Sequence, residues 1–141
     1  MNRVIVTGAS EGLGFELSKL FLEKDISVTG ISRTRPNLKV DFIKTDLTVE
    51  EDIENAASMI LKDYSDFDAI INCAGVLNVT KANELEYNKV AQLFKLNVIA
   101  PMILVSKLFD KIKANEADIV NVGSTLGFKA YQEQAAYGSS K

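Results

Sequence analysis

Short β-branched runs alternate with longer amphipathic segments along this chain, and that alternation constrains its fold more than any other feature. Five runs of strand length lie at residues 3–7, 27–31, 39–44, 69–72 and 118–122. Helical periodicity covers residues 12–24, the stretch that opens at Thr48, and residues 83–96, 101–114 and 135–141. Strands that alternate with helices form βαβ units with right-handed crossovers. We therefore predict one α/β domain over residues 1–141, a doubly wound parallel sheet (Rossmann-like) with strand order 3-2-1-4-5.

Capping signals and apolar periodicity give local predictions within this frame. Thr48 and Glu51 match a capping box, Asn83 matches an N-cap, and Pro101 falls early in a helix, where its ring is tolerated. Four apolar residues of the first helix recur at helical spacing: Leu13, Leu17, Leu20 and Phe21. The second helix is expected to bury Ile53, Ala56, Ala57, Ile60 and Leu61.

Composition excludes several function classes. With 47% hydrophobic and 25% charged residues the chain is typical of a globular protein, and a net charge of −3 offers no basic surface for nucleic acid. We see neither an apolar run of membrane-spanning length nor a signal-peptide layout. The single cysteine, Cys73, forbids an internal disulfide and suits a reducing cytoplasm. The chain has no histidine, which excludes Ser-His-Asp and Cys-His catalysis and a histidine-built zinc site; no metal is expected.

A glycine-rich turn joins the first predicted strand to the first predicted helix. Its sequence is Thr7-Gly8-Ala9-Ser10-Glu11-Gly12-Leu13-Gly14. Gly8 suits a tight turn, Gly12 allows the backbone to approach a pyrophosphate, and Gly14 allows close packing of helix on strand. The helix N-terminus adds free N–H groups and positive potential. The alternative is a glycine-rich connection without a ligand, but the strand before and the helix after favour a phosphate-binding turn.

The end of the second strand indicates which dinucleotide the turn would hold. In these folds the residue about 20 positions beyond the glycines meets the adenine ribose, and a carboxylate there selects NAD. Here the strand ends in Ser32 and Arg33, without a carboxylate. A guanidinium fork and a hydroxyl suit a 2′-phosphate, which points to NADP. The alternative is that Arg33 and Arg35 are solvated loop charges.

Taken together, these residues resemble the short-chain dehydrogenases/reductases. The resemblance spans the whole chain and rests on motifs in the family's order, which are the glycine turn of residues 7–14, Asp46-Leu47, Asn72-Cys73-Ala74-Gly75, Asn97, Ser124 and Tyr137-Gly138-Ser139-Ser140-Lys141. The related sugar-nucleotide epimerases have a TGxxGxxG turn. Glu11 stands where their middle glycine would be, which disfavours that branch.

The resemblance implies reversible hydride transfer between NAD(P)H and a small-molecule carbonyl or alcohol substrate, and the end of the second strand favours NADP over NAD. It implies that Tyr137 is the general acid/base and that Ser124 hydrogen-bonds the substrate oxygen. Lys141 would bind the nicotinamide ribose and favour the Tyr137 phenolate, and Asn97 would support a proton-relay water. Together with the glycine turn and the end of the second strand, this gives the predicted cofactor-binding residues Gly8, Ser10, Glu11, Gly12, Leu13, Gly14, Ser32, Arg33, Asp46, Leu47, Asn72, Ala74, Gly75, Tyr137 and Lys141.

Elementary chemistry agrees with part of this assignment. Tyr137 and Lys141 are four residues apart, so one helical turn brings them to the same face, where an ammonium favours a phenolate. Cys73 stands where the family often has a second asparagine, and we interpret it as a small buried hydrophobe rather than a nucleophile.

The sequence stops at Lys141, whereas members of the family continue with further strands and a substrate-binding loop. We expect the cofactor site to survive better than the chemistry. We also expect the uncovered fifth strand to need a partner chain, through edge pairing or helix packing along residues 86–114, so that the protein is a homo-oligomer. Two hypotheses remain, which are an NADP-dependent oxidoreductase and a dinucleotide-binding module or truncated pseudoenzyme without turnover.

Overall fold

The computed structural model describes residues 1–129 and 131–141 and contains the predicted parallel sheet. Five strands pair in the order β3-β2-β1-β4-β5, which confirms the predicted order 3-2-1-4-5. Every neighbouring pair is parallel. The strands are β1 (Arg3–Thr7), β2 (Ser27–Ser32), β3 (Asp41–Lys44), β4 (Ala69–Asn72) and β5 (Asp118–Asn121).

Five α-helices accompany the strands: α1 (Gly12–Glu23), α2 (Glu50–Asp63), α3 (Tyr87–Phe94), α4 (Ala100–Asn115) and α5 (Ala135–Ser139). Two predicted caps are wrong. Helix α2 begins after Val49 without a side-chain cap, because the Thr48 hydroxyl and N–H both donate to the Asp46 carboxylate, at 2.7 and 2.9 Å. Asn83 lies inside a short 3-10 turn, Ala82–Glu84, and α3 starts only after an extended Glu86.

Helices α3 and α4 join into one helical run, Tyr87–Asn115, through a π-helical segment, Lys95–Ile99. By length and composition alone, this run of 29 residues is apolar enough to cross a membrane, contrary to the expectation from the sequence. Such a helix is weak support for a membrane span, since a helix that packs on a protein core passes the same test. Here Leu104, Leu108 and Ile112 are buried in the core.

Two apolar clusters, one on each face of the sheet, form the core. Alternate strand residues point to opposite faces, so Ile5 and Val6 of β1 fall in different clusters. Helices α2 and α4 cover the first face and α1 covers the second. Three leucines predicted to face the core are instead largely exposed: Leu13 at 54%, Leu20 at 46% and Leu61 at 44%. Each helix lies on the sheet through a narrower stripe than the sequence suggested.

Strand β5 forms the edge of the sheet, and all four of its residues are exposed. Ile119 and Val120 retain 42% and 45% of their accessible surface. The carboxyl ends of the five parallel strands meet along one side of the sheet, where open α/β sheets bind ligands.

Candidate functional site

A cleft of about 1120 Å³ opens at the carboxyl ends of the strands. Most of the predicted cofactor-binding residues line it. They are Gly8, Ser10, Glu11, Gly12, Leu13, Gly14, Ser32, Arg33, Asp46, Leu47, Ala74 and Gly75. Four segments supply them: the glycine turn, the end of β2, the loop before α2 and the loop after β4. The structure thus joins residues that lie far apart in the sequence.

The glycine turn is held tightly against the loop after β4. Gly8 has φ +70°, and a Cβ built there would lie 2.8 Å from Ala74 Cα. The Ala74 N–H donates to Thr7 Oγ1 at 3.1 Å, and the Gly8 N–H donates to the Ile31 carbonyl at 2.8 Å. A Cβ at Gly14 would overlap the Gly8 carbonyl group. Only glycine fits at Gly8 and Gly14 without a shift of the backbone.

The first turn of α1 presents backbone donors to the cleft. Glu11 is the N-cap residue, yet its side chain makes no capping bond. The N–H groups of Gly12, Leu13 and Gly14 lack partners within the helix because they belong to its first turn. Gly12 has φ +58° and nothing lies within 4 Å of a Cβ built on it. This open space beside free N–H donors fits a pyrophosphate group.

The loop after β2 carries two arginines, and only one of them lines the cleft. Arg33 is exposed and lines the cleft. The guanidinium of Arg35 instead lies 5.0 Å from the ring centroid of Phe42, outside the lining of the cleft. The Ser32 hydroxyl donates its hydrogen to the Thr34 carbonyl at 2.8 Å. It can donate to a 2′-phosphate only after that hydrogen bond breaks.

Asp46 lies on the same wall as Arg33. The two hydrogen bonds from Thr48 lower the pKa of the Asp46 carboxyl below its usual value, and the charge of Arg33 contributes in the same direction. The Asp46 N–H in turn donates to Asp52 Oδ2 at 2.8 Å. The carboxylate is therefore ionised and held in place at neutral pH.

Lys141, Asn97 and Gly75 meet behind the loop after β4. A Cβ built on Gly75 would lie 3.2 Å from Lys141 Nζ and 3.3 Å from Asn97 Oδ1. The Asn97 amide accepts from the Val76 N–H at 2.9 Å and donates to the Val76 carbonyl at 3.1 Å and to Ser140 Oγ at 2.9 Å. Because both amide atoms are occupied, a relay water on this side chain would have to share or displace one of these bonds.

Lys141 Nζ donates to the Val122 carbonyl at 3.0 Å, at the end of β5. Together with Asn72 and Asn97 it lines a second cavity of about 420 Å³. Asn72 is turned away from the large cleft. Its amide donates to Asn121 Oδ1 at 2.9 Å, and its own Oδ1 is buried without a partner among the described residues.

Ser124 and Tyr137 lie on neighbouring segments, but neither is among the described residues that line the cleft. Ser124 Oγ accepts from the Leu126 N–H at 3.2 Å and so caps a short 3-10 turn. That turn packs against α5, since a Cβ on Gly138 would lie 3.0 Å from the Leu126 carbonyl oxygen. The catalytic roles of Ser124 and Tyr137 therefore stay predictions.

Sequence reasoning missed one wall of the cleft. Asn88, Lys89 and Gln92 of α3 form this part of its lining. The signal for this wall in the sequence is the run of polar residues on one side of the α3 segment. Thr7 was also missed as a functional residue, although its hydroxyl holds the loop after β4.

Cys73 is half-buried and also lines the cleft. Burial raises the pKa of its thiol, and the nearby Lys141 charge offsets only part of that effect. This agrees with the interpretation of Cys73 as a small buried hydrophobe rather than a thiolate nucleophile.

The sheet order, the glycine turn and the cleft define a doubly wound α/β domain with a phosphate-binding strand–turn–helix. The family model described as short chain dehydrogenase matches residues 2–141. The chain therefore belongs to the short-chain dehydrogenase family.

Curated relatives include a benzil reductase ((S)-benzoin forming) of Bacillus subtilis (strain 168), which is 32% identical over 153 residues. The alignment covers 100% of this chain and 62% of that protein. An uncharacterized oxidoreductase of the same organism, YxjF, is 28% identical, with 97% of this chain and 58% of the relative covered. The chain thus spans roughly three-fifths of the length of these two relatives.

Solved structures share the fold closely. A 4-hydroxyisoleucine dehydrogenase complexed with NADH superposes with a TM-score of 0.90 at 28% identity, covering 99% of this chain and 63% of that one. An oxidoreductase of the short chain dehydrogenase/reductase family from Brucella ovis, in complex with a partially ordered NAD, gives a TM-score of 0.86 at 27% identity. That superposition covers 99% of this chain and 70% of the other.

Proposed function

We propose that this chain is the nucleotide-binding and catalytic-motif part of an NADP-dependent oxidoreductase that transfers hydride between NADP(H) and a small carbonyl or alcohol. The observation that carries the proposal is the continuous cleft that joins the uncapped first turn of α1 to Arg33 at one end and to Gly75 at the other. Lys141 lies directly behind Gly75. Relatives that carry the name oxidoreductase or reductase support the same reaction class.

In this proposal the glycine turn holds the pyrophosphate through backbone N–H groups, and Asp46 and Leu47 lie against the adenine. When bound, the nicotinamide supplies or takes up the hydride. Tyr137 donates a proton to the carbonyl oxygen, or takes one from the alcohol, while Ser124 donates a hydrogen bond to the same oxygen. Lys141 holds the nicotinamide ribose and favours the Tyr137 phenolate.

The preference for NADP is the finer part of the proposal. It is supported by the exposed Arg33 in the cleft and by the absence of a carboxylate at the end of β2 in the sequence. Arg33→Ala should weaken NADPH binding by about 1.5–3 kcal/mol, the scale of a charge-assisted hydrogen bond, and leave NADH binding nearly unchanged. Calorimetric titration with each cofactor measures both effects.

Arg35→Ala is the matched control. It removes the same charge only two residues further along the chain, from a side chain that does not line the cleft. It should leave the ratio of NADPH to NADH affinity in place. Equal losses for both cofactors in Arg33→Ala, or equal effects of the two arginine variants, would contradict a 2′-phosphate role for Arg33.

Turnover separates an enzyme from a binding module that turns nothing over. We expect NADP-linked oxidation of some member of an alcohol panel, and we expect Tyr137→Phe to abolish that turnover while NADPH still binds. Binding without turnover across the panel favours the binding module or pseudoenzyme.

We further propose that the protein works as a homo-oligomer in the cytoplasm. The exposed apolar side chains of the β5 edge and of α4 support an association, notably Val120 at 45%, Met102 at 65% and Phe109 at 58% exposure. Light scattering coupled to size-exclusion chromatography tests the association, and a monomer at micromolar concentration contradicts it.

A further inference from the structure

Helix α3 contributes a row of side chains to the cleft that the proposed function leaves without a role. Asn88 and Gln92 are four residues apart, so they lie on one face of α3, and Leu96 follows them in the π-helical segment. All three line the cleft. Leu96 is half-buried and packs against the apolar cluster that contains Leu47. The loop of residues 46–48 lines the same cleft.

This slot in the cleft has both apolar and polar lining residues. Leu47 and Leu93 line it and are buried, at 6% and 1% exposure. Asp46, Thr48 and Gln92 supply polar groups to the same lining. A flat aromatic base fits such a slot, with its faces against leucine side chains and its polar edges towards the polar ones.

The polar group that α3 offers to a base in this slot is the primary amide of Gln92 rather than a charge. Lys89 is the cation on this wall, and its ammonium is paired with Glu86 Oε1 at 2.6 Å. Gln92 offers one carbonyl acceptor and one NH₂ donor on the same side chain. That pair matches the adjacent N6 donor and N7 acceptor of adenine, as amides do in the major groove of DNA.

We propose that Gln92 is a specificity-determining residue that reads the N6–N7 edge of the adenine ring. The proposal rests on the proposed function, because the dinucleotide places the base in this slot. Gln92 Oε1 accepts from the N6 amino group, and Gln92 Nε2 donates to N7. A hypoxanthine base has a carbonyl oxygen in place of the amino group, so it can accept from Nε2 but cannot satisfy Oε1.

The test compares two cofactors in two variants. Binding of NADPH and of reduced nicotinamide hypoxanthine dinucleotide phosphate is measured by titration calorimetry for the wild type, Gln92→Leu and Asn55→Leu. Asn55 is an exposed amide on α2 that does not line the cleft, so it controls for the loss of a surface amide. In Gln92→Leu we expect NADPH affinity to fall about tenfold and the hypoxanthine cofactor to lose no more than about threefold.

A merely structural role for Gln92 would weaken both cofactors equally, so the ratio of the two affinities is the decisive readout. An unchanged ratio in Gln92→Leu overturns the inference while the proposed function stands. A wild type that binds neither NADPH nor NADH overturns both proposals. A shift of the ratio in Asn55→Leu as large as that in Gln92→Leu also overturns the adenine-reading role.

Discussion

Two glycines of the phosphate-binding turn allow backbone strain to be separated from steric overlap. Gly8 and Gly12 both have positive φ, +70° and +58°. A Cβ at Gly8 would lie 2.8 and 2.9 Å from backbone atoms of Ala74, whereas a Cβ at Gly12 meets nothing within 4 Å. Alanine at either position therefore pays the left-handed backbone cost, and only Gly8→Ala adds a collision.

The left-handed conformation costs a non-glycine residue about 1–2 kcal/mol, and forcing a methyl group into a packed site adds about 1–3 kcal/mol. The turn cannot simply move away from Ala74, because the Gly8 N–H is bonded to the Ile31 carbonyl on the opposite side. We expect Gly8→Ala to lower the free energy of unfolding by about 2–5 kcal/mol and Gly12→Ala to lower it by about 1–2 kcal/mol.

Urea denaturation followed by circular dichroism measures the difference. With an m-value of about 2 kcal/mol per molar, the midpoint should fall by about 1–2.5 M in Gly8→Ala and by about 0.5–1 M in Gly12→Ala. If Gly8→Ala loses no more stability than Gly12→Ala, the close approach of the turn to the loop after β4 does not limit this position and the reasoning fails.

Two further predictions concern buried polar contacts. Asn97→Ala removes the hydrogen bonds to Val76 and Ser140 and should lower the free energy of unfolding by about 2–3 kcal/mol in urea denaturation; a loss within error of zero would contradict a stabilising role for these bonds. Asp46 has a folded-state pKa below its usual value of 3.8, so its stabilisation is present above that pH and is lost as the pH falls through the folded pKa. The stability difference between wild type and Asp46→Asn should shrink across that acid range, and a difference that grows towards low pH would refute the role of the Thr48 hydrogen bonds.

Much of the fold follows from periodicity that is visible in the sequence. Runs such as residues 3–7 and 69–72 are β-branched and bounded by turn residues, so their strand identity and their central position are predictable. Helix starts were harder to predict. Thr48 and Asn83 both carry capping side chains, but Asp46 captures the first and a 3-10 turn contains the second. Several nearby groups compete for the hydrogen bonds of a capping side chain, and a capping motif in the sequence does not show which of these bonds forms.

The residues of the candidate site were likewise only partly predictable from the sequence. The glycine turn and Arg33 were predictable because each follows a recognisable strand, and Asp46 was predicted from the family resemblance. The wall of the cleft that α3 forms, with Gln92, was not predictable, because it depends on how α3 packs in the tertiary structure.

By itself the sequence determined the order of strands and helices and the glycine turn, because these follow from local spacing and residue type. Only the tertiary structure decided that Asn97 is hydrogen-bonded to Val76 and Ser140. It also decided that Asn72 lines a second cavity, and that Arg35 lies over Phe42 instead of joining Arg33 in the cleft. Those outcomes depend on distances between segments far apart in the chain, and such distances are set by how helices pack on the sheet.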